Sequence, residues 1–259
     1  YDLDDWGGRD HGNANADLGG NDSALKNGGG LYYLNNNEES ESMLQIRNCS
    51  FLQNKTLRKG GGIYASGTNE ERIVLNLSNC IFDNNLSFDE GGAIFLENSS
   101  DYGQDHVIKD CVFTKNKATF EGSAISYIHF RGYGNLQIVE CIFFENYATL
   151  LGTCIYFEVQ ESLVSKSMLD LQSSIFEKNR TMFGADGTLV FVLTEGTNKN
   201  NSLVLNMDAC KTKSNDSNSA LIAVGFDLRC RFSNCEFNEK GNNTRQFIDL
   251  FDTNSEFSQ

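Results

Sequence analysis

Any chemistry in this chain has to come from its acids. It carries 35 Asp and Glu against 21 Lys and Arg, with three His and a formal net charge of −14. Cleaving a polysaccharide takes two carboxylates, or a carboxylate beside a cation, brought to one face. Asp110 and Glu140 each stand directly before a Cys of the pattern Cys-x-Phe, with Lys109 adjacent, and Asn79 and Ser173 hold the same place in other copies. Asp83 and Glu177 share a second repeated position, filled by Thr114 and Phe144 between them. Cations are sparse around both positions, so a solvated acidic edge is expected and no catalytic residue is assigned. His11, His106 and His129 are scattered, with no partnered nucleophile to make a triad. Cysteines about 31 residues apart do not have zinc-ligand spacing, so no metal site is expected from them. Asn13-Ala-Asn15-Ala-Asp17 puts oxygen ligands at alternate positions, as a Ca²⁺ loop does, but lacks a downstream Glu. An irregular, solvated cap is the expected reading there, with calcium as the alternative.

The elements that would position these residues are set by a repeat. Cys49-Ser-Phe-Leu-Gln-Asn54, Cys80-Ile-Phe-Asp-Asn-Asn85, Cys111-Val-Phe-Thr-Lys-Asn116, Cys141-Ile-Phe-Phe-Glu-Asn146 and Ser174-Ile-Phe-Glu-Lys-Asn179 align directly, with starts 30 to 33 residues apart. Weaker copies begin at Cys210 and Cys235. Each copy is followed by a glycine-led segment: Gly60-Gly-Gly-Ile63, Gly91-Gly-Ala-Ile94, Gly122-Ser-Ala-Ile125 and Gly152-Thr-Cys-Ile155. Blurred versions include Leu189 and Ile222 in the Ile position. Before each Cys comes an alternating pair such as Leu75 and Leu77, whose second member lies three residues ahead of the Cys. A step of three breaks the two-residue rhythm of a strand and marks a tight bend.

The expected fold is therefore all-β: a right-handed, single-stranded parallel β-helix of about seven coils, roughly 31 residues and three short strands to a coil. No coil buries its inward residues alone. Stacking makes ladders of like side chains: Phe51, Phe82, Phe113, Phe143, Phe176 and Phe237 in one, and Leu31, Ile63, Ile94, Ile125, Ile155, Leu189 and Ile222 in another. Glycine, Ala93, Ala124, Cys154 and Thr188 form a small-residue column beside them. The chain reads as one domain over residues 1–259: an irregular N-terminal cap at 1–27, repeats at 28–225, and a last coil with C-terminal cap at 226–259. Paired-helix repeats are excluded because no helical period is present, and 24 Gly with no Pro fits the same picture.

Phe82-Asp-Asn-Asn85 followed by Gly91-Gly-Ala-Ile94 resembles the polymorphic outer-membrane protein repeat, and the likeness extends over about residues 28 to 225. That resemblance implies a β-helix similar to bacterial adhesin passengers, with like repeats in large surface proteins of protists. It implies surface exposure with an adhesive or structural role, not catalysis.

Ten Asn-x-Ser/Thr triplets, in excess of chance, and eight Cys point to a secretory route and an oxidising exterior. The sites expected to carry N-linked glycans are Asn76, Asn98, Asn200, Asn215 and Asn242. Asn21, Asn48, Asn54, Asn85 and Asn179 are less favoured, the last three because they share an inward column with Asn116 and Asn146. Most of the stacked Cys are expected to be reduced fillers, since parallel side chains rarely meet disulfide torsions. Cys210, Cys230 and Cys235 are the disulfide candidates, closing the final coil. The chain begins at Tyr1 without Met or an apolar leader, as a processed protein or fragment does, and no apolar run is long enough to span a membrane. The acidic balance argues against nucleic acid. Expected partners are further copies docking end to end, other surface proteins, or glycans stacking on outward rings such as Tyr64 and Tyr156. No cofactor is expected.

Overall fold

A single residue in the left-handed conformation turns the chain at each corner of the coil. Asn48, Asn79, Asp110, Glu140, Ser173, Ala209 and Asn234 (φ 48° to 54°) stand before the Cys-x-Phe strand, and Gln53, Asn84, Lys115, Glu145, Lys178 and Ser214 (φ 53° to 57°) stand after it. Asn and short polar residues accept this region most readily, and Asn fills four of these thirteen positions. The first of these residues is the tight bend expected from the three-residue step.

The computed structural model describes residues 27–35, 41–67, 72–99, 104–130, 133–160, 166–181, 188–194, 202–215, 219–224, 228–238, 248–250 and 256–258. The N-terminal cap, with Asn13 to Asp17, His11 and Asn21, lies outside the described residues, as do Asn200 and Asn242. Among the described residues there is no helix, and every strand pairing is parallel.

Four sheets run along the stack. The first has eight strands, opening Leu31–Asn35, Ile63–Gly67, Ile94–Asn98 and Ile125–His129 and ending at Ile248–Leu250. The second also has eight, from Glu41–Arg47 and Arg72–Ser78 to Glu256–Ser258, and the third has seven three-residue strands from Ser50–Leu52 to Glu236–Asn238. The fourth has five strands of two residues: Lys55–Thr56, Leu86–Ser87, Lys117–Ala118, Tyr147–Ala148 and Arg180–Thr181. Eight strands in the longest sheets is one more than the seven coils expected. The fourth sheet replaces the expectation of three strands per coil; two residues are too few to show an alternation in sequence.

Inward side chains stack in register. Phe51, Phe82, Phe113, Phe143 and Phe176 lie ring over ring, centroids 4.7 to 5.0 Å apart and planes within 7°. Thr212 interrupts the column before Phe237. The Ile column holds as far as Ile155 and then differs: Ile155 pairs with Val190, and Val190 with Leu221, not with Leu189 and Ile222 as expected. Leu189 instead continues the small-residue column, in place of Thr188: its carbonyl accepts from the N–H of Cys154. A longer loop before this strand moves the register by one residue, and the side chains of Leu189 and Val190 are both buried.

The Asn column is a continuous hydrogen-bonded ladder. The Oδ1 of Asn85 accepts from the backbone N–H (3.0 Å) and Nδ2 (2.8 Å) of Asn54, and Asn85 Nδ2 donates to Phe51 O and to Asn116 Oδ1, both at 2.9 Å. The pattern repeats through Asn116, Asn146 and Asn179 to Asn215. Each amide thereby satisfies the corner backbone that a coil buries, which would otherwise cost the desolvation of each orphaned group.

Candidate functional site

The outer face of the first sheet sets polar side chains against aromatic ones. In each of its strands the residue after the Ile points outward, giving the column Tyr32, Tyr64, Phe95, Ser126, Tyr156 and Phe191. Tyr32 stacks on Tyr64 at 5.1 Å, Tyr64 on Phe95 at 5.5 Å, and Tyr156 on Phe191 at 5.6 Å. Ser126 interrupts the stack between Phe95 and Tyr156. Tyr64 and Tyr156 were expected as exposed sugar platforms, and this is a correction: at 7% and 8% exposure they belong to a second apolar cluster with Phe95, Ile128 and Phe191. Side chains from the adjacent corner and strand ends fold over the rings, and Lys59 Nζ sits 4.3 Å from the Phe95 centroid.

That cover is acidic. Lys59, Glu90 and Glu121 each directly precede a left-handed glycine, Gly60, Gly91 or Gly122, and so occupy one column. Glu90 is held by Lys59 Nζ at 3.1 Å and by the Ser126 hydroxyl at 3.0 Å. Glu158 accepts from the Tyr156 hydroxyl at 3.0 Å and from Gln160 Nε2 at 2.8 Å, and Glu97 accepts from the Tyr64 hydroxyl at 3.1 Å. Burial raises the Glu90 carboxyl above its ordinary range, against the pull of Lys59. Burial first, then the charges of Glu90, Asp89 and Glu158, push Glu121 up to about 7. The Glu121 carboxyl makes no hydrogen bond or ion pair among the described residues, and its raised pKa lets it exchange a proton near neutral pH. A raised carboxyl pKa means that the folded state holds the proton more tightly than the unfolded chain. Stability from this group is complete below the ordinary carboxyl range near 4.5 and is lost as pH rises through about 7. Glu121→Gln is therefore expected to flatten the stability–pH curve between those values, read as thermal midpoints at closely spaced pH; an unchanged slope would remove Glu121 as its source.

The positions singled out from sequence lie elsewhere. Asp110 and Glu140 occupy adjacent left-handed corners, solvent-exposed, and Lys109 Nζ reaches both, at 3.9 and 3.5 Å. Asp83, Thr114, Phe144 and Glu177 share one outward column, and the Thr114 hydroxyl donates to Asp83 Oδ1 at 2.6 Å. His106 and His129 are fully interior. Leu75 N–H donates to His106 Nδ1 at 3.1 Å, the imidazole packs edge-on to Tyr127, and burial followed by the neighbouring His129 lowers its pKa to about 3. His106 is thus a neutral core residue over the physiological range. Gly134 leaves room for the Tyr127 hydroxyl and the His129 ring, since a Cβ there would lie 2.2 Å from the Tyr127 hydroxyl oxygen and 3.1 Å from the His129 ring. Among the described residues no group of three His, Cys, Asp or Glu could hold a metal ion.

Two of the favoured glycan positions are buried. Asn98 ends a strand at 0% exposure with its amide 3.0 Å from the His129 ring nitrogen, and Asn215 is the last rung of the Asn ladder. Asn54, Asn85 and Asn179 are ladder rungs as expected. Their triplets have a structural origin: two residues after each inward Asn comes a second inward position that favours a small residue, filled by Thr56, Ser87, Ala118 and Ala148. Much of the triplet excess therefore follows from the repeat. Of the described acceptors outside the ladder, Asn48 is exposed and Asn76 is half-buried. All eight Cys, the candidates Cys210, Cys230 and Cys235 included, stand as free thiols in this structure. Cys210 and Cys235 follow one another in the inward column, each donating to a backbone carbonyl of the preceding coil, whereas Cys230 stands on the second sheet in register with Leu205.

The four sheets, the ladders and the glycine corners define a repeat-built parallel β-helix. Residues 48–66 and 79–97 match the model of the Chlamydia polymorphic membrane protein repeat. The chain thus carries repeats of the polymorphic membrane protein type, stacked as a parallel β-helix. No curated protein and no solved structure matches the chain.

The acids Glu90, Glu121 and Glu158 were missed in the sequence. The signal was present: comparing the residue before each left-handed glycine across copies gives Lys59, Glu90, Glu121 and Leu151, a column whose charge contrasts with the invariant glycine beside it.

Proposed function

We propose that this chain is a non-enzymatic structural segment of a secreted or cell-surface glycoprotein, a rigid rod that positions adhesive surfaces or builds a surface filament. The observation that carries this reading is the six-rung Asn ladder beside the Phe and Ile columns. The repeated residues are engaged with one another inside the stack, and none is left to converge on a substrate. An uncapped solenoid end presents unpaired strand edges, which supports end-to-end docking of further copies as a heterologous contact that does not close. N-linked glycans belong on the exposed Asn48 and the half-buried Asn76. Intact mass before and after glycosidase treatment, with sedimentation and negative-stain imaging of the native protein, tests both parts. Glycan mass and concentration-dependent rods are expected; an unmodified protein that stays monomeric at high concentration would defeat the reading.

The protonatable Glu121 beside Glu90 favours one second reading, a polysaccharide-degrading enzyme. Against it, both Glu90 oxygens are engaged by Lys59 and Ser126. Turnover of an acidic polysaccharide that disappears in Glu121→Gln would establish the enzyme, and turnover lost only in Asp110→Asn would place it at the other pair.

A further inference from the structure

The third and fourth sheets give this acidic molecule a basic side. By strand register Lys117, Tyr147 and Arg180 form one outward column, and Lys115, Glu145 and Lys178 are successive left-handed corners beside it. Lys211 and Lys213 continue the face on the next coil. Its acids are partly neutralised: Glu177 lies 3.9 Å from both Lys178 and Lys213, and Glu236 lies 3.5 Å from Lys211. Lys115, Lys117 and Arg180 make no ion pair among the described residues. On a chain of net charge −14, three unpaired cations gathered on one face need an explanation.

Their spacing supplies one. Lys117 and Arg180 are two rungs apart, about 9.6 Å at the separation of neighbouring strands. That is close to the length of a disaccharide, and the half-exposed Tyr147 ring lies on the rung between. Cations held on the strands and corners of a rigid stack lose less freedom on binding than cations on loops, and their straight, periodic line fits a straight, periodic polymer. We propose that this face binds a linear acidic polysaccharide. Sulfate or uronate groups on alternate sugars would meet Lys115 with Lys117 and Lys178 with Arg180, and the intervening sugar would stack on Tyr147. The site does not depend on self-assembly; a single rod carries all of it.

The test uses the full chain and a size-defined heparin oligosaccharide, with neutral dextran and phosphatidylserine vesicles as comparisons, at low and at physiological salt. Binding of the sulfated oligosaccharide, weakened by salt, is expected, with none to dextran. Lys117→Gln with Arg180→Gln removes two charge-assisted contacts and is expected to weaken binding by at least about tenfold. Tyr147→Ala is expected to weaken it too, while Arg47→Gln, an exposed cation on the second sheet, leaves it unchanged. Thermal melts of each variant separate loss of the face from loss of the fold. Absence of binding at low salt, binding that survives the double substitution in a folded protein, or capture of vesicles in place of the oligosaccharide would each overturn the proposal. The last would fit the exposed Ile142 and Ile175 on the same face, at 40% and 37% exposure, to a lipid surface instead.

Discussion

Asn146→Ala is expected to destabilise the protein by about 4 kcal/mol, far beyond the cost of truncating a surface amide. The Asn146 side chain makes four contacts with no replacement in the dry corner. Its Oδ1 accepts from Asn116 N–H at 3.0 Å and from Asn116 Nδ2 at 3.1 Å, and its Nδ2 donates to Phe113 O at 2.8 Å and to Asn179 Oδ1 at 3.1 Å. Alanine leaves the Asn116 backbone N–H buried without its partner, takes one of the two donors from the Phe113 carbonyl, and removes a hydrogen bond from each neighbouring amide, at about 1–3 kcal/mol for each buried group left unsatisfied. The ladder also predicts a gradient. Asn54 is only half-buried, so Asn54→Ala is expected to cost about 1 kcal/mol. Urea unfolding of the two variants decides the point, and equal losses would mean that the ladder does not act as a continuous chain.

The second large effect is at a glycine. Gly122 has φ +59°, and a Cβ there would lie 2.4 Å from Ile125 O, 2.8 Å from Ile125 C and 2.9 Å from Ser126 Cβ. Two of these contacts are backbone, which cannot swing aside as the end of a flexible side chain can. Gly28, Gly60, Gly91 and Gly152 hold the same conformation in four other coils, including both neighbours of this one. Gly122→Ala therefore meets left-handed strain and a collision together, about 3 kcal/mol or more. It also sits beside Glu121, so the displaced backbone would disturb the carboxyl column. Chemical denaturation measures the loss, and a change below about 1 kcal/mol would show that the corner relaxes freely.

The predictions rest on those parts of the structure that the sequence states most clearly. Phe, Ile and Asn recur at fixed offsets because each has the same neighbour above and below, so periodicity alone revealed the coil, its inward columns and the bend before each Cys. What was hidden is what lacks a period. The two-residue strands such as Lys117–Ala118 are too short to alternate, and the register step at Leu189 follows a loop of different length. Asn98 reads as a loop acceptor until His129 on the next coil is placed against it. Tyr64 and Tyr156 point outward as their strands dictate, but their cover comes from a corner column whose composition varies from Lys59 to Leu151. Acid–base geometry across coils emerges only when that variable column is brought over a fixed one.

Loop length and rung chemistry are separable in this architecture. Successive ladder Asn are 30, 31, 33 and 36 residues apart, yet each bonds its neighbour in the same way. A rung asks only for another rung, whatever chain joins them. Duplicating or deleting a whole coil therefore alters the length of the rod without rewriting any interior contact, while the loops and outward columns are free to diverge. Such a molecule can vary its reach and its surface independently, with the interior unchanged, which is a useful property for a protein that meets its partners at a distance.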